Sequence, residues 1–304
     1  MGAIEKAIAR FNTVSDSEKQ PLPRELAANS DFGSARVVGM QEAGKKKPLV
    51  REEENKSRTF TLPYKAMEAE GLLSVSAPRN QMSEEYRAIK RPILAAIDSQ
   101  SPDHNHASRN VIMVTSCVSG EGKTFSAINL ALSIAMEQDR EVLLVDADIT
   151  NPSCGGRLGF SKDQVGLTAV LNNRHRDPED LIWQSDLENF RFLPAGIANN
   201  LTTELLSSRN MSDLVDGLSR YHPDRVIVFD SAPLLLTSEA SIVADLAGQI
   251  VFVVGAESTT KGMVSDALRL VNDHSRVGFI LNKTRKGQNN IYGYGYGYGY
   301  ANAS

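Results

Sequence analysis

The sequence predicts an α/β fold, a mostly parallel sheet covered by helices on both faces. Three observations predict it. Short apolar runs, among them "VIMV", "VLLV", "VIVF" and "IVFVV", alternate with segments whose apolar residues recur at helical spacing. A glycine-containing loop leaves the first of these runs and opens a helix. Two later runs end in aspartates, at the carboxyl ends of strands where such sheets hold their ligands.

Composition bounds the function. With 304 residues, 41% of them hydrophobic, the chain has room for one large α/β domain with extensions and enough apolar side chains for a core. A formal net charge of -4 lacks the basic surplus of a duplex-binding protein, so nucleic acid is not an expected partner. Two separated cysteines, Cys117 and Cys154, build neither a disulfide framework nor a zinc site, which points to a reducing cytoplasm. No apolar run approaches the roughly 20 residues of a membrane-crossing helix. The start "MGAIEKAIARF" is not a secretory signal, and Lys6 stands where a myristoylation signal wants Ser or Thr.

The elements follow in order. Over residues 1–80, Ile4, Ala7, Ile8 and Phe11 give a short amphipathic helix, and charged text such as "EKQPLPRE" and "KKKPLVREEENK" then reads as a solvated linker with both signs of charge. The main domain is expected over residues 81–286. It opens with the helix "SEEYRAIKRPILAAI", capped by Ser83, with Glu84 and Glu85 at its positive end and Pro92 inside it. Strand "NVIMVTS", helix "KTFSAINLALSIAMEQ", strand "EVLLVDAD", helix "TTELLSSRNMSDLVDGLSRY" and strand "DRVIVFDSAP" come next. Helix "EASIVADLA", strand "GQIVFVVGA", helix "TKGMVSDALRLVND" and strand "RVGFILNKT" complete it. Residues 287–304 form a tail carrying Tyr292, Tyr294, Tyr296, Tyr298 and Tyr300 in alternation with glycine.

The loop "CVSGEGKTF" has the shape of a phosphate-binding loop, which makes the expected architecture a P-loop NTPase fold. Glycines let backbone N–H groups converge on phosphate oxygens, Lys123 can reach the outer phosphates, and the Thr124 hydroxyl can bind Mg2+. The nucleotide-binding stretch is accordingly Ser119, Gly120, Glu121, Gly122, Lys123, Thr124 and Phe125, with a nucleotide and Mg2+ as the expected ligands. The strict pattern GxxxxGK[ST] is not met, because Cys117 occupies its first glycine position. Asp146, Asp148 and Asp230 end strands, where carboxylates can hold a hydrated Mg2+ and one can take a proton from an attacking hydroxyl. A single strand-end aspartate can equally cap the next turn. Asn282, at the end of the last strand, is open to two readings, a contact with the edge of adenine or a turn. Both cysteines read as small packing residues.

Three stretches together resemble the bacterial tyrosine kinases of capsular and exopolysaccharide biosynthesis. "TSCVSGEGKT" is similar to their Walker A motif, "LLVDADITNPS" to their Walker A' motif and "VIVFDSAPLL" to their Walker B motif. The resemblance runs from about Gln81 to Lys286, and the tyrosine-rich tail fits it. It implies an ATP- and Mg2+-dependent autokinase that phosphorylates its own tail tyrosines in trans between subunits of a ring. Lys123 and Thr124 would hold phosphate and metal, Asp146 and Asp148 would serve metal binding and proton removal, and Asp230 would complete the metal site. "EEYRAIK" resembles the family's ExxRxxR subunit-contact motif, with Glu84 and Arg87 in place and Lys90 at the second arginine. Thr150 stands where many relatives carry Arg. The N-terminal "MGAIEKAIARF" further resembles the exosortase-associated branch, which implies a cytoplasmic kinase peripheral to the inner membrane through a separate chain-length-determinant protein. A cognate tyrosine phosphatase would reverse the modification.

A regulatory ATPase of the partitioning or division-site type would share this fold. Such proteins carry a signature lysine where this chain has Val118. An iron-sulfur scaffold ATPase needs paired cysteines, and a nucleotide-sensing adaptor would leave the tail inert. The tail's length and glycines suit an acceptor that must reach a neighbouring subunit's site.

Overall fold

The computed structural model describes residues 58–74, 80–99, 109–172, 177–198, 202–206, 209–222 and 224–285. The expected N-terminal amphipathic helix and the tyrosine tail lie outside these residues.

Eight strands form one sheet: β1 (Arg58–Phe60), β2 (Val111–Ser116), β3 (Glu141–Asp146), β4 (Trp183–Ser185), β5 (Phe190–Leu193), β6 (Arg225–Asp230), β7 (Gln249–Gly255) and β8 (Val277–Asn282). Their spatial order is β1-β4-β5-β3-β6-β2-β7-β8. All neighbours pair in parallel except β4 and β5, which are antiparallel. The helices are α1 (Tyr64–Ala69), α2 (Gln81–Ser99), α3 (Lys123–Ala135), α4 (Cys154–Arg157), α5 (Leu167–Asn172), α6 (Thr202–Leu206), α7 (Arg209–Tyr221), α8 (Glu239–Leu246) and α9 (Lys261–Leu268).

The central strands are apolar at consecutive positions because both faces of the sheet are covered. Val111, Met113, Leu143, Val145, Ile227 and Phe229 face a first cluster with Met211, Leu214 and Leu218 of α7 and Val243 of α8. Ile112, Val114, Val142, Leu144, Val226 and Val228 alternate with them and face a second cluster with α3 and α2. Every residue of α3 except Phe125 is buried, since the helix lies against the sheet on one side and meets α2 on another. That burial fixes the start of α3, and with it the loop before it.

Several regions differ from the sequence reading, among them the start of α2, where Asn80, and not Ser83, takes the cap position and accepts from Ser83 N. Residues 58–73, expected as linker, supply β1 and α1, and their Leu62, Met67, Leu72 and Leu73 are buried in the second cluster. Four apolar anchors in a charged stretch give little periodicity, and only the partner surface shows their use. The segment "TTELLSSRNMSDLVDGLSRY", expected as one helix, holds two, α6 and α7. Strands β4 and β5, three and four residues long, carry too short a pattern to be read in advance.

Candidate functional site

The loop from β2 to α3 turns on two glycines in left-handed conformations, Gly120 at φ 86° and Gly122 at φ 100°. Gly122 is the N-cap of α3 and supplies no side-chain cap, which leaves the first helical N–H groups facing the concavity of the loop. A Cβ on Gly122 would stand 2.0 Å from Asn282 Nδ2, so the close approach excludes any side chain there.

Asn282 Nδ2 donates to the Glu121 carbonyl at 2.9 Å, and Asn282 Oδ1 accepts from the Lys283 N–H at 2.9 Å. Its amide therefore fastens the end of β8 to the phosphate-binding loop. Lys283 Nζ donates to the Gly120 carbonyl on the exposed side. Glu121 is buried with its carboxylate inside the protein: it accepts from Val118 N at 2.7 Å, from Gly255 N at 3.2 Å and from the Thr259 hydroxyl. Its expected part in nucleotide binding is thus confined to its backbone. The same holds for Phe125, whose ring packs against the second cluster, while Ser119 is exposed at the loop's tip.

Lys123, Asp146, Asp148 and Asp230 come together under this loop. Lys123 Nζ lies 2.6 Å from Asp148 Oδ2, with both side chains buried. Burial alone would lower the Lys123 pKa, but Asp230 and Asp148 outweigh it and hold the ammonium above its usual value. Asp148 Oδ1 accepts from the Thr150 hydroxyl at 3.1 Å and from Asn151 N at 3.2 Å. Asp146 and Asp230 are register partners on β3 and β6. Burial pushes both carboxyls up; Asp230 raises Asp146 further, while Lys123 restrains the rise at Asp230.

Each of the two carboxylates keeps one buried oxygen, Asp146 Oδ1 and Asp230 Oδ1, with no hydrogen-bond partner. Two adjacent buried carboxyls with orphaned oxygens are unfavourable unless a cation or protons complete them. The Thr124 hydroxyl is nearby, hydrogen-bonded with Ser153 Oγ at 2.8 Å. Among the described residues no group of three or more His, Cys, Asp or Glu could hold a metal by itself. A donor set of two carboxylates and a hydroxyl fits Mg2+, which takes the remainder of its shell from water and phosphate.

Cys154 has a larger part than the packing role read from sequence. It is fully buried in the second cluster, its N–H donates to Asp146 Oδ2 at 3.1 Å, and its thiol lies 3.3 Å from Asp230 Oδ2 as donor. Burial and the two aspartates hold that thiol well above its ordinary pKa, so it remains a donor. Nothing in "NPSCGG" signals this, because the contact spans 76 residues of sequence. Cys117 does behave as a packing residue, buried in the first cluster, its thiol pushed up to about 11 by burial and by Glu121.

The three expected subunit-contact residues separate. Glu84 and Arg87 are near the surface and pair with each other at 3.3 Å. Lys90 is 4% exposed and points inward, to the Ser133 carbonyl and to Glu137 Oε1, each at 2.5 Å. It belongs to the buried stripe Tyr86, Lys90, Ile93 and Ile97, one face of α2, so its placement corrects the expectation that it meets a neighbour.

The comparisons with known proteins agree with this geometry. The CobQ/CobB/MinD/ParA nucleotide binding domain matches residues 112–293. The tyrosine-protein kinase YwqD of Bacillus subtilis is 31% identical over 226 residues, 73% of this chain and 90% of that protein. The tyrosine-protein kinase CpsD of Streptococcus pneumoniae is 29% identical over 175 residues, 57% of this chain and 75% of that protein. Among solved structures, the kinase domain of Escherichia coli tyrosine kinase ETK aligns with a TM-score of 0.62 at 27% identity, covering 80% of this chain and 88% of that one. The VpsO kinase domain aligns at 0.52 with 32% identity, covering 66% of this chain and all of that one. With a phosphate-binding loop, a lysine and three aspartates converging beneath it, and these relatives, the chain belongs to the bacterial tyrosine kinases built on the CobQ/CobB/MinD/ParA nucleotide-binding domain.

Proposed function

We propose that this chain is an ATP-dependent protein-tyrosine autokinase that phosphorylates Tyr292, Tyr294, Tyr296, Tyr298 and Tyr300 in trans. The observation that carries the reading is the buried Lys123–Asp148 pair beside two carboxylates with orphaned oxygens. ATP lies along the loop, with the backbone N–H groups of residues 120–125 on its phosphates. Lys123 leaves Asp148 for the outer phosphates, which frees the carboxylate to accept the tyrosyl proton. Thr124, Asp146 and Asp230 would hold Mg2+, which would supply positive charge against the phosphates. The tyrosyl oxygen forms a bond to the γ-phosphorus as the bridging P–O bond breaks, and ADP leaves with that electron pair.

The subunits assemble through the exposed Glu84–Arg87 side of α2 into a homo-oligomeric ring, so that one tail enters another's site. Five phosphotyrosines would add on the order of -7 to -10 charge, enough to repel neighbouring tails and loosen the ring. The resemblance to capsular and exopolysaccharide kinases, with relatives named tyrosine-protein kinase CpsD and putative tyrosine-protein kinase EpsB, supports a role in polysaccharide synthesis, export and chain length, exercised beside a membrane co-polymerase on the cytoplasmic side and reversed by a tyrosine phosphatase.

The test is incubation with Mg-ATP and intact-mass measurement of wild type and Lys123→Met, with the co-polymerase's cytoplasmic segment supplied in parallel. Wild type gains several phosphates on tail peptides and the variant none. ATP turnover without phosphotyrosine would instead indicate a regulatory ATPase.

A further inference from the structure

Strand β8 forms one edge of the sheet. Its inner side pairs with β7 from Val277 to Asn282, and no described strand pairs with its outer side. Phe279 faces the first cluster, its ring 5.5 Å from that of Phe252, and Leu281 shares the same face by strand periodicity. Both are exposed in spite of being apolar, Phe279 at 47% and Leu281 at 54%. An edge that no strand covers among the described residues, with two exposed apolar side chains, is a template for one more strand.

The chain itself carries a segment with the matching period. From Tyr292 to Tyr300 tyrosine and glycine alternate strictly. In an extended strand that alternation places all five rings on one face and only glycine hydrogens on the other. Laid antiparallel against β8, the tyrosine face would meet Phe279 and Leu281, giving aromatic cross-strand pairs. The glycine face would lie beside Gly278 and the half-buried Ile280 and crowd neither. Residues 283–291 join the end of β8 to Tyr292. That connector can reach roughly 30 Å, more than the length of β8, so it is long enough for the chain to turn back.

We propose that the outer edge of β8 is the docking site of the chain's own alternating Tyr-Gly tail, which adds to the sheet as an antiparallel strand. A slip of two residues restores the same face, so the repeat offers several equivalent registers and holds no single tyrosine uniquely. A phosphate on a docked ring would place roughly -1.5 to -2 charge against Phe279 and Leu281, so phosphorylation opposes docking. The consequence for the kinase, that docking withdraws acceptors from neighbouring sites, rests on the tail's being the phosphoacceptor. The docking does not.

Hydrogen exchange on the full, unphosphorylated, nucleotide-free chain tests this without any dependence on kinase activity. Amides of residues 277–282 should exchange about fivefold or more slowly in wild type than in a chain with the five tail tyrosines changed to serine. That variant leaves β8 and the core intact, and unchanged protection of β2 (Val111–Ser116) verifies it. Phe279→Lys with Leu281→Lys should remove protection from residues 292–300. Equal exchange of 277–282 in wild type and the serine variant overturns the proposal. Protection that grows with protein concentration, and appears between isotopically mixed copies, would assign the edge to a second copy's tail and overturn docking within one chain.

Discussion

Lys123 Nζ lies 2.6 Å from Asp148 Oδ2, so the proposed phosphate-binding cation is held by the proposed proton acceptor. Asp148→Asn removes the proposed base at nearly unchanged size; its amide oxygen can still accept from Thr150 and Asn151, while the contact with the Lys123 ammonium is lost. ATP binding by calorimetry should persist in that variant, and tail phosphorylation should fall by about 10²–10⁴-fold, the usual contribution of a positioned base. Undiminished phosphorylation would remove Asp148 from proton transfer.

Gly122 and Asn282 constrain one another, with 2.0 Å between the amide and the site of an added Cβ. Gly122→Ala also meets a φ of 100°, so it should cost about 1–3 kcal/mol of stability and abolish measurable ATP binding. Asn282→Ala loses the bond to the Glu121 carbonyl and should cost about 0.5–1.5 kcal/mol. Because the pair is in contact, the double variant should cost less than the two single values added. Strict additivity in urea unfolding would contradict the contact.

Lys90 and Glu84 should behave oppositely although they lie on one helix. Lys90→Ala removes a buried ammonium from the Ser133 carbonyl and Glu137, and should lower stability by about 1–3 kcal/mol. Glu84→Ala with Arg87→Ala breaks an exposed pair and should change stability by less than about 1 kcal/mol. If the ring forms through this surface, the second variant alone shifts the oligomer mass in sedimentation.

Glu141 gives a pH dependence with a definite sign. Burial would raise its pKa, but the hydrogen bond from Arg191 and the charge of Arg225 outweigh burial and hold it below its ordinary 4.5. A carboxyl depressed in the folded state contributes stability that is fully present above the unfolded value and is lost as pH falls through the folded one. Glu141→Gln should therefore lower the urea midpoint at pH 7, by the equivalent of about 1–3 kcal/mol. The difference from wild type should begin to shrink as pH falls below about 4.5 and close once pH is below the depressed folded-state value. A difference unchanged between neutral and acid pH would show that the charge is not its source.

The phosphate-binding loop was legible because its chemistry is local: Gly120, Gly122, Lys123 and Thr124 stand within five residues, between a strand and a helix that the apolar pattern marks. The central strands were legible for the same reason, since burial on both faces leaves uninterrupted Val, Ile and Leu. Lys90 was misplaced although the 86, 90, 93 and 97 stripe was available, because resemblance to a surface motif took precedence over helical phase. Glu121 and Cys154 could not be read at all. Their partners, Thr259 and Asp230, lie 138 and 76 residues away.

The sequence by itself determined the parallel α/β architecture, the place of the phosphate-binding loop and the identity of the charged groups, because periodicity and short motifs are properties of contiguous residues. Only the tertiary structure decided which of those groups meet. It paired Asp146 with Asp230, closed Lys123 onto Asp148, turned Lys90 inward and left the outer edge of β8 without a partner strand among the described residues, because distance in the chain carries no information on the register in which strands align.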